Sequence, residues 1–340
     1  IKLTKEKKEE EAYLLRLKLD NDFDVEKLKI VDGNGGKGDF YFNICHGARL
    51  FNRSENRIKE LVYFCNKSYE YYEKSNTFKI KGFDFIESYL DDVLSFNHAW
   101  YFQFNGNEEN ERKAKKHALK LLKYKNSKTD KFFYTNGLKV LATVNRSNGE
   151  FEEAIKYMKL VLESMDCNNK SKYLMKCYSE KSDLAALFQS DGTRTDYLES
   201  KKIYEELIII EKKIPTISRT SKAATRAGLF HYHFNIGNYE EAEKYLYQAL
   251  SFLDPEDPVS LEMYIQYKSR LFDLMDQMGY RHDAKNGYKN IIEEIKEKYG
   301  KYNPQIIEPL SRVITYYVED NDKDKVVKEL NYLNQILKKN

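Results

Sequence analysis

Apolar residues recur three, four and seven positions apart along most of this chain, the spacing of one helix face rather than of a strand. Leu138, Leu141 and Ala142 form one such stripe, and Tyr245, Leu246, Ala249 and Leu250 another. The stripes come in pairs joined by short polar stretches, three of which resemble one another. They are Asn148-Gly149-Glu150-Phe151-Glu152-Glu153-Ala154, Ile236-Gly237-Asn238-Tyr239-Glu240-Glu241-Ala242 and Met278-Gly279-Tyr280-Arg281-His282-Asp283-Ala284. Each reads as a tight turn between two helices. Gly ends the first helix in a backbone state that side-chained residues resist, the aromatic that follows wedges the hairpin, and the small Ala lets the two helices approach closely.

Taken as a ruler, the small residue falls at Ala114, Ala154, Ser200, Ala242, Ala284 and Val326, with steps of 40, 46, 42, 42 and 42 residues. The last copy carries Asn321 for Gly and Val326 for Ala, as an end cap would. The pattern predicts helix pairs at 39–52 and 54–74, 83–104 and 108–124, 131–147 and 150–165, and 170–190 and 195–213. Further pairs follow at 219–236 and 239–253, 259–278 and 281–299, and 304–319 and 323–338. Ahead of them lie a Lys/Glu-rich helical start (Leu3 to Leu19) and a loop centred on Gly33 to Gly38. No Pro/Gly/Ser-rich linker interrupts the rest. The expected organisation is an irregular N-terminal helical cap over 1–80 and a repeat array over 81–340.

The order Gly, Tyr, Ala, Tyr, Ala-Leu and then Pro, clearest from Gly237 through Tyr245, Ala249-Leu250 and Pro255, resembles the tetratricopeptide repeat. A 42-residue step exceeds the usual ~34 of that repeat. It is similar to the longer-helix variant of kinesin light chains, whose Gly-x-x-His-Pro linker Tyr299-Gly300 and Asn303-Pro304 resemble. Some bacterial peptide-sensing regulators also use long repeats. The copies depart from the family's pattern: Arg226 and Lys268 stand where it has Trp, and Phe230 and Phe272 where it has Gly. The resemblance implies an all-α, right-handed superhelical solenoid of about six to seven antiparallel pairs. In such arrays the first helix of each pair lines a concave groove.

Composition agrees with helices that bury one stripe and solvate the other face: 41% hydrophobic, 33% charged, and only 5 Pro and 15 Gly. With 28 Tyr and 19 Phe there is enough aromatic bulk for a substantial core, which argues against disorder. The 57 basic and 54 acidic side chains leave a net +3, so no global field favours nucleic acid or an anionic membrane. The weak counter-signal is the basic stretch Arg112 to Lys131, read here as the solvated face of a second helix with Ala114, Ala118, Leu121 and Leu122 facing inward. No apolar run approaches the ~20 residues needed to cross a bilayer, the runs being short pieces such as Leu207 to Ile210, so no membrane span is expected. The compartment is left open, a cytoplasmic location being favoured, because the sequence starts at Ile1 and a leader or further domain could have been removed. Oligomeric state is also open.

Motifs for chemistry are sparse. Gly33-Asn34-Gly35-Gly36-Lys37-Gly38 fits GxGxxG, yet Asp39-Phe40 stands where a phosphate loop needs Ser or Thr, and no βαβ unit surrounds it. A flexible loop is the expectation. His231 and His233, two residues apart in one helix, point away from each other and cannot chelate. Cys45, Cys65, Cys167 and Cys177 form no CxxC or Cys/His metal spacing and read as buried free thiols, although Cys167 and Cys177 could bridge. The Tyr69, Tyr71, Tyr72 and Tyr316, Tyr317 stripes read as packing between helix pairs. No catalytic residue, metal or cofactor is expected.

The expected function is therefore a non-catalytic scaffold or adaptor for a protein or extended peptide. The alternative is the ligand- or peptide-sensing module of a bacterial regulator whose effector domain lies outside this chain. The repeat's register implies groove positions at Asn136, Lys139, Thr143 and Arg146, then His231 and Phe234 with Ala224 and Ala227, and then Gln266, Asp273 and Asp276 with Ser269. Glu308, Ser311 and Thr315 continue the row. Lys139 and Thr143 only loosely echo the carboxylate clamp of chaperone-binding members.

Overall fold

A computed structural model gives the structure of the chain and describes residues 34–51, 55–79, 84–128, 130–165, 167, 174–191 and 194–339. The helical start at Leu3 to Leu19 lies outside the described residues. Among them, all regular structure is helical. The chain divides into two compact units, Ile1–Lys170 and Ser171–Asn340.

In the first unit, α1 (Asn34–Phe51) pairs with α2 (Glu55–Lys74), and α3 (Asp84–Asn105) with α4 (Glu108–Leu121). α5 (Lys131–Ser147) pairs with α6 (Phe151–Ser164), and the first helices α3 and α5 also pack on one another. The second unit holds α7 (Leu174–Asp191) with α8 (Arg194–Lys213), and α9 (Arg219–Asn235) with α10 (Tyr239–Ser251). Two further pairs complete it: α11 (Pro258–Gln277) with α12 (Arg281–Tyr299), and α13 (Ile307–Glu319) with α14 (Lys323–Lys339). These are the seven pairs that the periodicity predicts.

The turn chemistry repeats atom for atom. Gly149, Gly237 and Gly279 have φ of 75°, 76° and 90°, and Asn321 takes the same role at 61°. At all four turns the residue after the left-handed one donates its N–H back across the helix end. Glu150 donates to Asn145 O at 2.8 Å, and Asn238 to His233 O, Tyr280 to Met275 O and Asp322 to Tyr317 O at 2.9 Å each. That bond closes the last carbonyls of the first helix and turns the chain back for the second. The small residues then sit where the two helices touch: Ala114, Ala154, Ser200, Ala242 and Ala284 are all fully buried. The tyrosine stripes are core as well, with Tyr69, Tyr71, Tyr72, Tyr316 and Tyr317 buried.

Two expectations are corrected. Residues 34–38 are the first turns of α1 rather than a loop. Gly38 is there because α2 crosses at that point: a Cβ on it would lie 2.7 Å from the Tyr72 ring, while the Tyr72 hydroxyl donates to Asp39 at 2.5 Å. The cysteines are not free thiols either, for none of the four is free. Cys45 on α1 and Cys65 on α2 face each other inside the hairpin and are bridged, a pairing that their 20-residue separation does not announce. Cys167 and Cys177 are also disulfide-bonded.

In the second unit, Arg226 occupies the position where the tetratricopeptide pattern has Trp. Its guanidinium pairs with Glu211, both side chains being nearly buried, and stacks on the Phe252 ring at 5.1 Å. The Tyr178 hydroxyl donates to the same carboxylate at 2.8 Å. A buried charge held this way needs its whole partner set, which ties α7, α8 and α9 to one register.

Candidate functional site

The positions that the repeat register singles out all lie on first helices: α5 in the first unit, and α9, α11 and α13 in the second. α9 starts at a side-chain cap, Ser218 accepting the Ser221 N–H at 3.0 Å, and buries most of its circumference. Its least covered line runs through Ala224 and His231, both half-buried, whereas Ala227 is buried. Burial first, and then the charge of Arg270, pushes the His231 imidazole down to about 4. It is therefore a neutral ring at physiological pH, and Arg270 of α11 is its neighbour.

α11 is amphipathic, with Glu262, Gln266 and Arg270 exposed one turn apart. Gln266 Nε2 reaches Glu262 at 3.4 Å. Ser269 is fully buried. Asp273 is half-buried and heavily engaged: it accepts from the Tyr288 hydroxyl at 2.7 Å and from Arg312 of α13 at 3.1 Å, with Arg270 at 3.8 Å. Asp276 bonds the Tyr316 hydroxyl, which burial and then that carboxylate push up to about 12. On α13, Glu308, Ser311 and Thr315 are exposed, but the two hydroxyls bond the carbonyls of their own helix. The second unit thus sets His231, Arg270, Asp273 and Arg312 in one row across α9, α11 and α13.

Phe234 does not join that row. Its ring packs against Phe230 at 5.6 Å and Tyr239 at 5.7 Å, inside the α9–α10 hairpin, because the last turn of α9 points this position at the start of α10. In the first unit, Asn136 donates to Asp92 of α3 at 3.0 Å and so ties one first helix to the next. Lys139 and Thr143 are half-buried on α5 and Arg146 is exposed. The acidic register positions Asp273 and Asp276 do not stand alone, for Arg270 and Arg312 lie beside Asp273. Arg270 and Arg312 escaped the sequence reading, yet they are 42 residues apart and hold the same repeat position. That spacing was the available signal.

Among the described residues, no group of His, Cys, Asp and Glu could hold a metal ion. No helix among them is long and apolar enough to cross a membrane.

No family model matches the chain, and no curated protein matches it either. Solved structures do. A Signal Transduction ATPase with Numerous Domains from Pyrococcus horikoshii, with a tetratricopeptide repeat sensor, is 12% identical at a TM-score of 0.57, over 87% of this chain and 43% of that one. A Rap protein complexed with competence and sporulation factor is 9% identical at a TM-score of 0.54, over 89% of this chain and 76% of that one. Nearly identical TPR-like repeats of a Podosopora anserina protein assigned to the kinesin light chains are 17% identical, over 59% of this chain and 94% of that one, at a TM-score of 0.47. At such identities the first two likenesses speak to architecture alone. By fold, the chain is an all-α helical-repeat protein of the tetratricopeptide-like kind.

Proposed function

We propose that the chain is a scaffold without catalytic chemistry of its own, which binds a protein or extended peptide on the face made by its first helices. The observation that carries this reading is the row His231, Arg270, Asp273 and Arg312, which spans three consecutive first helices in the second unit. An extended ligand laid across such a row touches several repeats at once on a preformed surface, so little ordering entropy opposes binding. Arg270 and Arg312 keep 48% and 46% of their side chains exposed, and their planar forks suit carboxylates of a ligand.

The test is affinity capture from the source organism's lysate with wild type, Arg270→Glu/Arg312→Glu and Lys139→Glu/Arg146→Glu. A partner held by wild type and lost from either charge-reversal variant, with helicity by circular dichroism unchanged, is the expected result. A partner indifferent to both variants would remove the first-helix face from consideration. A second reading, a sensing module for a peptide or small ligand, draws on the repeat sensor and the factor-bound Rap protein among the similar structures. It predicts a change in small-angle scattering on ligand binding, which a rigid scaffold would not give.

A further inference from the structure

A cleft of about 410 Å³ opens between α2 and α4, the second helices of two successive pairs in the first unit and so away from the first-helix face. Its two walls carry opposite charge. On α2, Glu70 and Glu73 are exposed one turn apart; on α4, Arg112 and Lys116 are exposed one turn apart. Among the described residues, none of these four side chains is in an ion pair or a side-chain hydrogen bond. The other cations of the lining are engaged: Lys113 is held by Glu109 at 2.7 Å, and Lys67 lies over the Tyr63 ring at 5.9 Å.

The floor is prearranged. His117 lines the cleft with Nδ1 2.7 Å from the buried Asp91 carboxylate, which fixes the ring's orientation. The Tyr69 ring meets His117 edge-on at 5.3 Å, and Tyr63, half exposed, adds an aromatic wall. A simple anion would find two carboxylates in its way, and a simple cation an arginine and a lysine. A ligand with both charges satisfies both walls.

We propose that this cleft binds a free amino acid. Its carboxylate would meet the Arg112 fork and Lys116, its ammonium Glu70 and Glu73, and its side chain the Tyr63 and Tyr69 rings. The volume admits one such molecule and not a folded partner or a nucleic-acid backbone.

The experiment is isothermal titration of the full chain with each common L-amino acid, and with the N-acetyl form of any that binds. At least one is expected to saturate below ~10 mM. Its N-acetyl form, which lacks the ammonium, should bind at least about tenfold more weakly. Arg112→Ala/Lys116→Ala and Glu70→Gln/Glu73→Gln should each weaken binding by at least about tenfold. All four side chains are exposed, so both variants should melt within a few degrees of wild type, and the N-acetyl comparison needs no variant at all. No saturable amino acid would overturn the proposal. So would N-acetyl binding as tight as the parent's, or tighter binding by the Glu→Gln variant, which would mark a plain anion site.

Discussion

Burial keeps His98 neutral at a cost that pH can reveal. The ring is 2% exposed, its Nδ1 is 2.8 Å from Asn110 Oδ1, and its Nε2 is buried without a partner. Burial pushes the imidazole down to about 4; the neighbouring charges of His117 and Lys113 add to that, and Asn110 and Glu109 oppose it. In the unfolded chain the same ring titrates near ~6.5. As pH falls from there towards 4, the unfolded state takes up a proton that the folded state refuses, so stability falls with pH across that window. At pH 4.5 the loss from this one group is about 2–3 kcal/mol. Urea unfolding at pH 7 and 4.5 should therefore show His98→Leu losing less stability than wild type over that interval, by roughly that amount. An unchanged difference would mean that the folded ring takes up its proton as readily as the unfolded one.

Between residues and helices, two glycines do different jobs and should lose stability on the same substitution for different reasons. Gly237 has φ of 76° and open space around it, so Gly237→Ala costs only the left-handed backbone, about 1–2 kcal/mol. Gly228 lies inside α9, where Ala is intrinsically better by about 1 kcal/mol. Its Cβ, however, would sit 2.2 Å from the buried Tyr204 ring of α8. Overpacking of that kind costs about 1–3 kcal/mol or more, so Gly228→Ala should destabilise, and Tyr204→Leu should rescue it in a double-mutant cycle. The turn glycines were legible in the sequence, because a left-handed turn closed by a 6→1 bond narrows the choice to Gly or Asn, and both appear at the repeat spacing. Gly228 was not, since what it makes room for is a tyrosine 24 residues earlier. The same reason hid the Arg312–Asp273 contact and the Cys45–Cys65 bridge. Each depends on which helix lies opposite, and one helix's periodicity cannot name its neighbour's side chains. The packing of Phe234 was hidden for a different reason: the repeat register says nothing of the last turn of α9, where its ring meets Phe230 and Tyr239.

For the whole molecule the question is whether the basic stretch after Arg112 makes it a nucleic-acid binder. A net charge of +3 from 57 cations and 54 anions gives no long-range field, so any affinity must come from that stretch alone. There, Lys113 pairs with Glu109 and Lys115 with Glu111, both at 2.7 Å, Lys123 reaches Glu87 at 3.2 Å, and Lys120 bonds the Tyr69 hydroxyl. Ala114, Ala118 and Leu121 face inward, as the solvated-face reading requires. Phosphate contacts through Lys113, Lys115, Lys120 or Lys123 would have to break these interactions, so fewer counterions would be released on binding than the run of cations suggests. Anisotropy titration with a random-sequence 20-base-pair duplex at 150 mM salt should give a dissociation constant weaker than ~100 µM, outside the usual non-specific range. Glu109→Gln/Glu111→Gln frees Lys113 and Lys115, and is expected to strengthen binding and steepen its salt dependence. Tight wild-type binding with a slope set by six or more phosphates would instead make α4 a nucleic-acid surface, with its ion pairs as the resting state.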